Sequence, residues 1–281
     1  MARTRPKPRS NTASGFSSEG WIWVLVALVC AATLAVIGGY AYLRWSAEVN
    51  RVVLDLESLC PTDGERSVTV VLLDATDDLP SITKREVRSD LVDRAETLPV
   101  YGLLEMSLLD PSAPGGRRIM FRKCNPGDGA NLSEWTANPR KARERWMEQF
   151  RKPLDGALDG TLKPAPAESS PIMMTIQDVA VARFGGRARQ NIPKTFIIVS
   201  DMMEHTPEYS HYRGDLGYER FRGSAAYKKV HTDLHGAGVR LWYVQRLNPG
   251  LNSGKHLEFW AAWVRDNNGV LTQAKKLQGA N

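Results

Sequence analysis

Apolar and polar positions fall into two regimes along this chain. From Trp21 to Leu43 no charged residue occurs. Beyond Ser67, short apolar runs alternate with charged segments whose apolar residues recur at helical spacing. The first stretch, built as a helix at 1.5 Å per residue, is about 34 Å long, enough to cross a hydrocarbon core of about 30 Å. Trp21, Trp23, Tyr40, Tyr42 and Trp45 bracket it as an interfacial aromatic belt would. A cleaved signal peptide would be shorter and end in small residues, and a lipoprotein signal would need small residues before Cys30, where Val29 stands. The reading is a transmembrane helix over 21–43, preceded by a disordered basic tail over 1–20 and followed by a stalk or linker over 44–66, helical over 46–59. Four Lys/Arg precede the helix against Arg44 and Arg51 after it, which places the tail in the cytoplasm and the rest outside. In a bacterium this is an inner-membrane, single-pass protein with a periplasmic domain.

Over 67–281 the pattern predicts one α/β domain. SVTVVLLDA (67–75), PVYGLLEMSLL (99–109), KTFIIVSD (194–201) and VRLWYVQRL (239–247) are near-continuous apolar runs, as in strands buried on both faces. RRIMFRKC (117–124) follows a turn with Pro111, Pro114, Gly115 and Gly116 and reads as the return strand of a hairpin. Helices are expected over 81–97, with Ser81 as N-cap, from Pro139 to a break at Pro153, over 171–184, over 224–238 with Gly236 as its stop, and over 255–269. The alternation gives a doubly wound, mostly parallel central sheet with one antiparallel hairpin strand.

Composition narrows the function classes. Hydrophobic residues make up 42% and charged residues 24%, the balance of a globular domain. The net charge is +6, but Arg3, Arg5, Lys7 and Arg9 against Glu19 supply half of it, so nucleic acid is not an expected partner. The three cysteines and five histidines show no zinc-ligand spacing. His231 and His235 stand at i, i+4 on an expected helix, without a third ligand or the glutamate of a metalloprotease motif. The Arg- and Lys-rich segment 140–152 is interleaved with Glu144 and Glu148 and reads as a solvated helix face.

The chemistry gathers where two apolar strands end in acids, Asp74-Ala-Thr76-Asp77-Asp78 and Ser200-Asp201. In open α/β sheets ligands bind beyond the carboxyl ends of the strands. Carboxylates and hydroxyls are hard oxygen donors suited to Mg²⁺, Mn²⁺ or Ca²⁺. Here the sequence resembles the von Willebrand factor A family, which includes integrin I domains. DATDD stands for the Asp-x-Ser-x-Ser of its metal-ion-dependent adhesion site, SPIMMTI for the loop that supplies a Thr before a helix, and IIVSD for the later Asp. The resemblance implies Asp74, Thr76, Asp78, Ser170 and Asp201 as metal ligands. Asp78 replaces a Ser, Ser170 a Thr, and Met202 a common Gly.

The resemblance also implies function: divalent-cation-dependent protein binding, as a scaffold or component of an envelope assembly, rather than catalysis. A metal-free scaffold and a metal-dependent phosphoester hydrolase are the alternatives. A dehalogenase-type phosphatase would need an Asp where Thr76 stands, and there is no Gly-x-Ser-x-Gly elbow or phosphate-cradling Gly-x-x-x-x-Gly-Lys loop. The loop 202–222 follows the second acid and holds Tyr209, Tyr212 and Arg213, a partner-binding rim or a loop folded onto its own aromatics. In the family's strand order the hairpin strand returns to the base of the sheet, which pairs Cys60 with Cys124 in a disulfide opposite the metal site.

Overall fold

The computed structural model describes residues 18–49, 52–76, 78–132, 138–161, 167–245 and 251–278. The N-terminal tail before Ser18, Asp77, Pro164 and Pro166 lie outside them. Two compact units are present, Met1–Arg51 and Val52–Asn281.

The first unit holds helix α1, Ser18–Val49. It is long and apolar enough to cross a membrane, and Cys30 on it is a free thiol. The helix is described to Val49 and so extends into the expected stalk. After it, Val52–Arg66 forms no helix but an irregular segment in which Leu54 and Pro61 make an antiparallel bridge. Asp55 explains the break locally, because its carboxylate accepts from the backbone N–H groups of Glu57 and Ser58 and from the Ser58 hydroxyl, a turn that competes with helix.

The second unit is built on a six-stranded sheet in the order β3-β2-β1-β4-β5-β6. β1 (Ser67–Leu73), β2 (Gly102–Leu109), β4 (Lys194–Ser200) and β5 (Gly238–Val244) are parallel neighbours or linked through parallel neighbours, and β3 (Arg117–Cys124) returns antiparallel to β2. Every residue of β1 and β2 is buried, which explains their unbroken apolar runs. Alternate residues feed two cores. Val68, Val70 and Leu72 face α5 (Ile172–Val179) and α8 (Ser253–Asp266). Val71 and Leu73 face α2 (Ser81–Glu96), α3 (Pro139–Trp146) and α4 (Lys152–Thr161). The doubly wound fold follows from these two buried faces.

Several local expectations are corrected. Helix does not break at Pro153: α3 continues through a π turn, Met147–Arg151, into α4. The wider turn precedes a proline that has no N–H to donate. Ser81 is inside the first turn of α2, and the N-cap is Pro80. The helix expected over 224–238 is reduced to α7, Ala225–Val230, with a short α6, Tyr218–Arg222, before it. After Val230 the backbone is claimed by the end of α8. Thr232 N–H donates to the Asn267 side chain, Leu234 N–H to the Asn267 carbonyl and Gly236 N–H to the Asn268 carbonyl. His231 and His235 therefore share no helix face. A sixth strand, β6 (Val270–Leu277), was not expected and pairs parallel with β5 as an edge.

A buried ion network fixes α5 against the hairpin. Arg117 donates to Glu105, to the Ser107 hydroxyl at 3.2 Å and to Asp178 at 2.7 Å, and Arg183 donates to Glu105 at 2.5 Å. Two acids are matched by two guanidiniums, so the fully buried Glu105 stays compensated. At the base of the sheet Cys60 and Cys124 are joined by a disulfide, 64 residues apart in sequence. Closing a loop of that length stabilises by up to about 4 kcal/mol in the chain-entropy model. A non-reduced digest of the native protein should yield the linked Cys60–Cys124 peptide, and the Cys60→Ser/Cys124→Ser variant should melt several degrees lower. Separate peptides, both alkylatable in the folded protein, would contradict this.

Candidate metal centre and rim cleft

The site forms where β1 and β4 lie side by side. Their outer neighbours, β2 and β5, are reached by connections that run in opposite directions, so the gap beyond their ends is a topological switch point. Asp74 directly follows β1, and its N–H donates to the Val199 carbonyl at 2.8 Å, keeping it in register with the end of β4. Its buried carboxylate collects hydroxyls from three segments. Thr76 donates to Oδ1 at 2.6 Å, Ser200 to Oδ2 at 2.8 Å and Ser170 to Oδ2 at 3.3 Å. Ser170 is held there by a two-way backbone bridge with His205, at 2.9 and 3.0 Å. Asp201 accepts from the Met203 N–H at 3.0 Å. Asp201, Thr76 and Ser170 line one cleft of about 340 Å³, together with Glu168, His205 and Tyr212.

The structure thus brings Asp74, Thr76 and Ser170 together and sets Asp201 in the same cleft. Asp78 is placed differently: its carboxylate pairs with Lys84 Nζ at 2.6 Å, on the first turns of α2. Among the described residues no three His, Cys, Asp or Glu side chains form a metal-binding group. The donor set is instead rich in hydroxyls, with all atoms hard oxygens, which fits Mg²⁺, Mn²⁺ or Ca²⁺ rather than zinc. Asp74, Thr76, Ser170 and Asp201 would hold such an ion, which would supply a positive charge at the mouth of the cleft. Ser200 was missed in the sequence because it reads as an ordinary strand residue.

Around the site the loop after β4 is anchored by buried polar groups. Met202 takes a left-handed backbone, φ 61°, where the family commonly has Gly. Its carbonyl accepts from Trp260 Nε1 at 2.9 Å and lies 3.2 Å from His211 Nδ1. His211 Nδ1 and His256 Nε2 are 3.0 Å apart, and His256 Nδ1 faces the Tyr243 hydroxyl at 3.0 Å. Burial holds both imidazoles neutral, His211 down at about 3, with the nearby His256 adding to the drop, and His256 at about 4. Glu204, also missed in the sequence, caps α5: its carboxylate accepts from the Met173 N–H at 2.9 Å. Burial pushes Glu204 up to about 8; its backbone partners at Met173 and Ile172 oppose that rise, and the charge of Asp74 adds to it.

The rim loop splits between its two readings. Tyr212 is exposed and lines the cleft, with its ring edge-on to His205. Tyr209 turns inward onto Phe221 and Phe259, its hydroxyl donating to the Asp215 carbonyl at 3.0 Å. Arg213 is exposed and donates to the Pro207 carbonyl at 3.2 Å.

The strand order, the antiparallel hairpin and the acid-ended central strands decide the fold. The second unit has the doubly wound, mostly parallel sheet with one antiparallel hairpin strand that the resemblance to the von Willebrand factor A family implies. No family model and no curated protein matches the chain. Among solved structures, it is similar to the conserved hypothetical protein BatB from Bacteroides thetaiotaomicron, at 14% identity and a TM-score of 0.35 over 76% of this chain and 92% of that one. An aerotolerance-related membrane protein from Bacteroides fragilis gives 12% and 0.35 over 75% and 92%. The SpRpn10 VWA domain gives 8% and 0.39 over 76% and 89%.

The buried groups predict the pH profile of stability. His211 and His256, depressed from 6.5, contribute stability that is present above pH 6.5 and lost as pH falls toward their folded values. Glu204, raised from 4.5, contributes stability that is present below pH 4.5 and lost as pH rises through about 8. Two rising limbs against one falling limb put the maximum near pH 6.5, with a net loss on the order of 1 kcal/mol between there and pH 8. Denaturant melts of Glu204→Gln should show no loss, and a slight gain from the two histidines, over that alkaline interval. An unchanged alkaline slope in the variant would refute the assignment to Glu204.

Proposed function

We propose that this chain is a membrane-anchored, divalent-cation-dependent protein-binding scaffold of a bacterial envelope assembly. The observation that carries the reading is that Thr76, Ser170 and Asp201 line one cleft at the switch point, with Thr76 and Ser170 both donating to the buried Asp74 carboxylate behind it. The ion binds to these oxygens and presents its charge to a partner protein. Tyr212 and His205 form an aromatic edge of the contact, and Arg213 lies beside it. Aromatic and arginine side chains at the border of a concave site are suited to protein recognition. The function is binding rather than turnover. The apolar helix α1 serves as a single-pass anchor in the inner membrane, and the excess of Lys/Arg before it puts the domain in the periplasm. The Cys60–Cys124 disulfide agrees with that side.

Calorimetry should detect one Mg²⁺ or Mn²⁺ site that Asp74→Ala abolishes, with a metal-induced rise in melting temperature in the parent protein only. A pull-down from detergent extract should lose the partner on chelation and in Asp74→Ala. Absence of heat and of any thermal shift at millimolar metal would overturn the cation dependence. Metal-dependent turnover of a phosphoester, lost in the same variant, would overturn the assignment as a binding protein.

A further inference from the structure

A second cleft, of about 430 Å³, lies at the opposite end of the sheet from Asp74. It is lined by Phe184, Gly186, Arg187, Gln190, Lys194 and His235. Three separate pieces of chain build it. Phe184 ends the π turn after α5, with Gly186 and Arg187 just beyond it; Lys194 opens β4; His235 precedes β5. Because β4 starts at Lys194 and ends at Ser200, this is the amino end of the parallel strands, far from the rim cleft.

The lining carries two full cations and an imidazole but no carboxylate. Arg187 makes no side-chain hydrogen bond or ion pair among the described residues. Lys194 Nζ reaches only the Gln190 carbonyl, at 3.4 Å. Glu65, just before β1, is engaged by Arg189. On His235, Nδ1 lies 3.5 Å from Asp233, and Nε2 stands against Gly185, where an added Cβ would come within 3.4 Å of it. Gly186 has φ +96° and open space about its Cα, so the chain approaches the cleft without a side chain in the way. Phe184, itself part of the core, lies against the cleft from within.

Two cations bordering one cleft whose lining holds no acid attract an anion between them. An arginine fork and a lysine point charge are the donor types that hold phosphate oxygens. A volume well above that of a bare ion, with Phe184 against it, suits an organic substituent on that phosphate. We propose that this cleft binds a phosphate group carried on a small organic moiety. Arg187 and Lys194 contact the oxyanion, His235 gives a third contact, and Phe184 bounds the organic part. The phosphate belongs either to an anionic lipid headgroup or to a soluble phosphoester. The proposal is independent of the reading of Asp74.

The test uses the full chain in phosphatidylcholine nanodiscs with glycerol 3-phosphate as probe, against sodium chloride at equal ionic strength. Binding should raise the melting temperature by roughly 2–4 °C and broaden the probe's phosphorus resonance. Both effects should vanish in Arg187→Gln/Lys194→Gln and persist in Lys228→Gln, an exposed change on α7. The single variants Arg187→Gln and Lys194→Gln, read by phosphorus line width alone, keep the test valid if the double variant unfolds. No response, or an equal response in the double variant, overturns the proposal. Phosphatidylglycerol nanodiscs separate the sources: a headgroup site raises the melting temperature without probe and blocks the probe's effect. A soluble-ligand site leaves the probe's effect unchanged in those discs. Either result supports the proposal and assigns its source.

Discussion

β1 is hydrogen-bonded along both edges and buried on both faces, and the rest of the domain is arranged around that strand. Its edges are taken by β2 and β4, which run parallel to it. Parallel neighbours need crossovers, and two buried faces need helices on both sides. The crossovers leave β1 in opposite directions, so the helices diverge above its carboxyl end. Asp74 sits in the gap they leave. Its position follows from the register of β1 with β4, since its own N–H continues the ladder to Val199.

That placement explains why the loop after β4 is built as it is. A buried carboxylate must be satisfied, and Asp74 accepts from three hydroxyls. The hydroxyls come from segments that have to be held in place. Ser170 is held by its bridge to His205, and His205 by the loop anchored through Met202, His211, His256 and Trp260. Glu204 ties the same loop to the start of α5. The ion network of Glu105, Arg117, Asp178 and Arg183 fixes the far side of that helix to the hairpin. Site and core are thus one construction: moving the loop costs buried hydrogen bonds on three elements.

Much of this was legible in the sequence where burial is two-sided. The apolar runs of β1, β2, β4 and β5 are unmistakable because both faces of each strand need apolar residues. β6 is an exposed edge whose only buried residue is Leu277, so VLTQAKKL carries no strand signal. The helix expected over 224–238 has the right periodicity, but the side chain and carbonyls of Asn267 and Asn268, 32 to 35 residues further on, take its backbone donors. In the site, Asp74, Thr76 and Asp201 were readable because acids and hydroxyls at the ends of buried strands have no packing role, and Ser170 only through the family resemblance of the loop before α5. Asp78 looked equivalent, but Lys84 claims its carboxylate. Ser200, Glu204 and the His211–His256 pair have meaning only once the loop is folded, and no local pattern announces them.

The central claim is that the oxygens around Asp74 form a cation site facing the rim cleft. Crystals of the protein soaked in Mn²⁺ and measured at the manganese absorption edge test it directly. The account predicts one anomalous peak within bonding distance of the Asp74 carboxylate, with Thr76, Ser170 or Asp201 completing the shell. A peak elsewhere with none at Asp74, or none at all with the three hydroxyls still donating to its carboxylate, would contradict it.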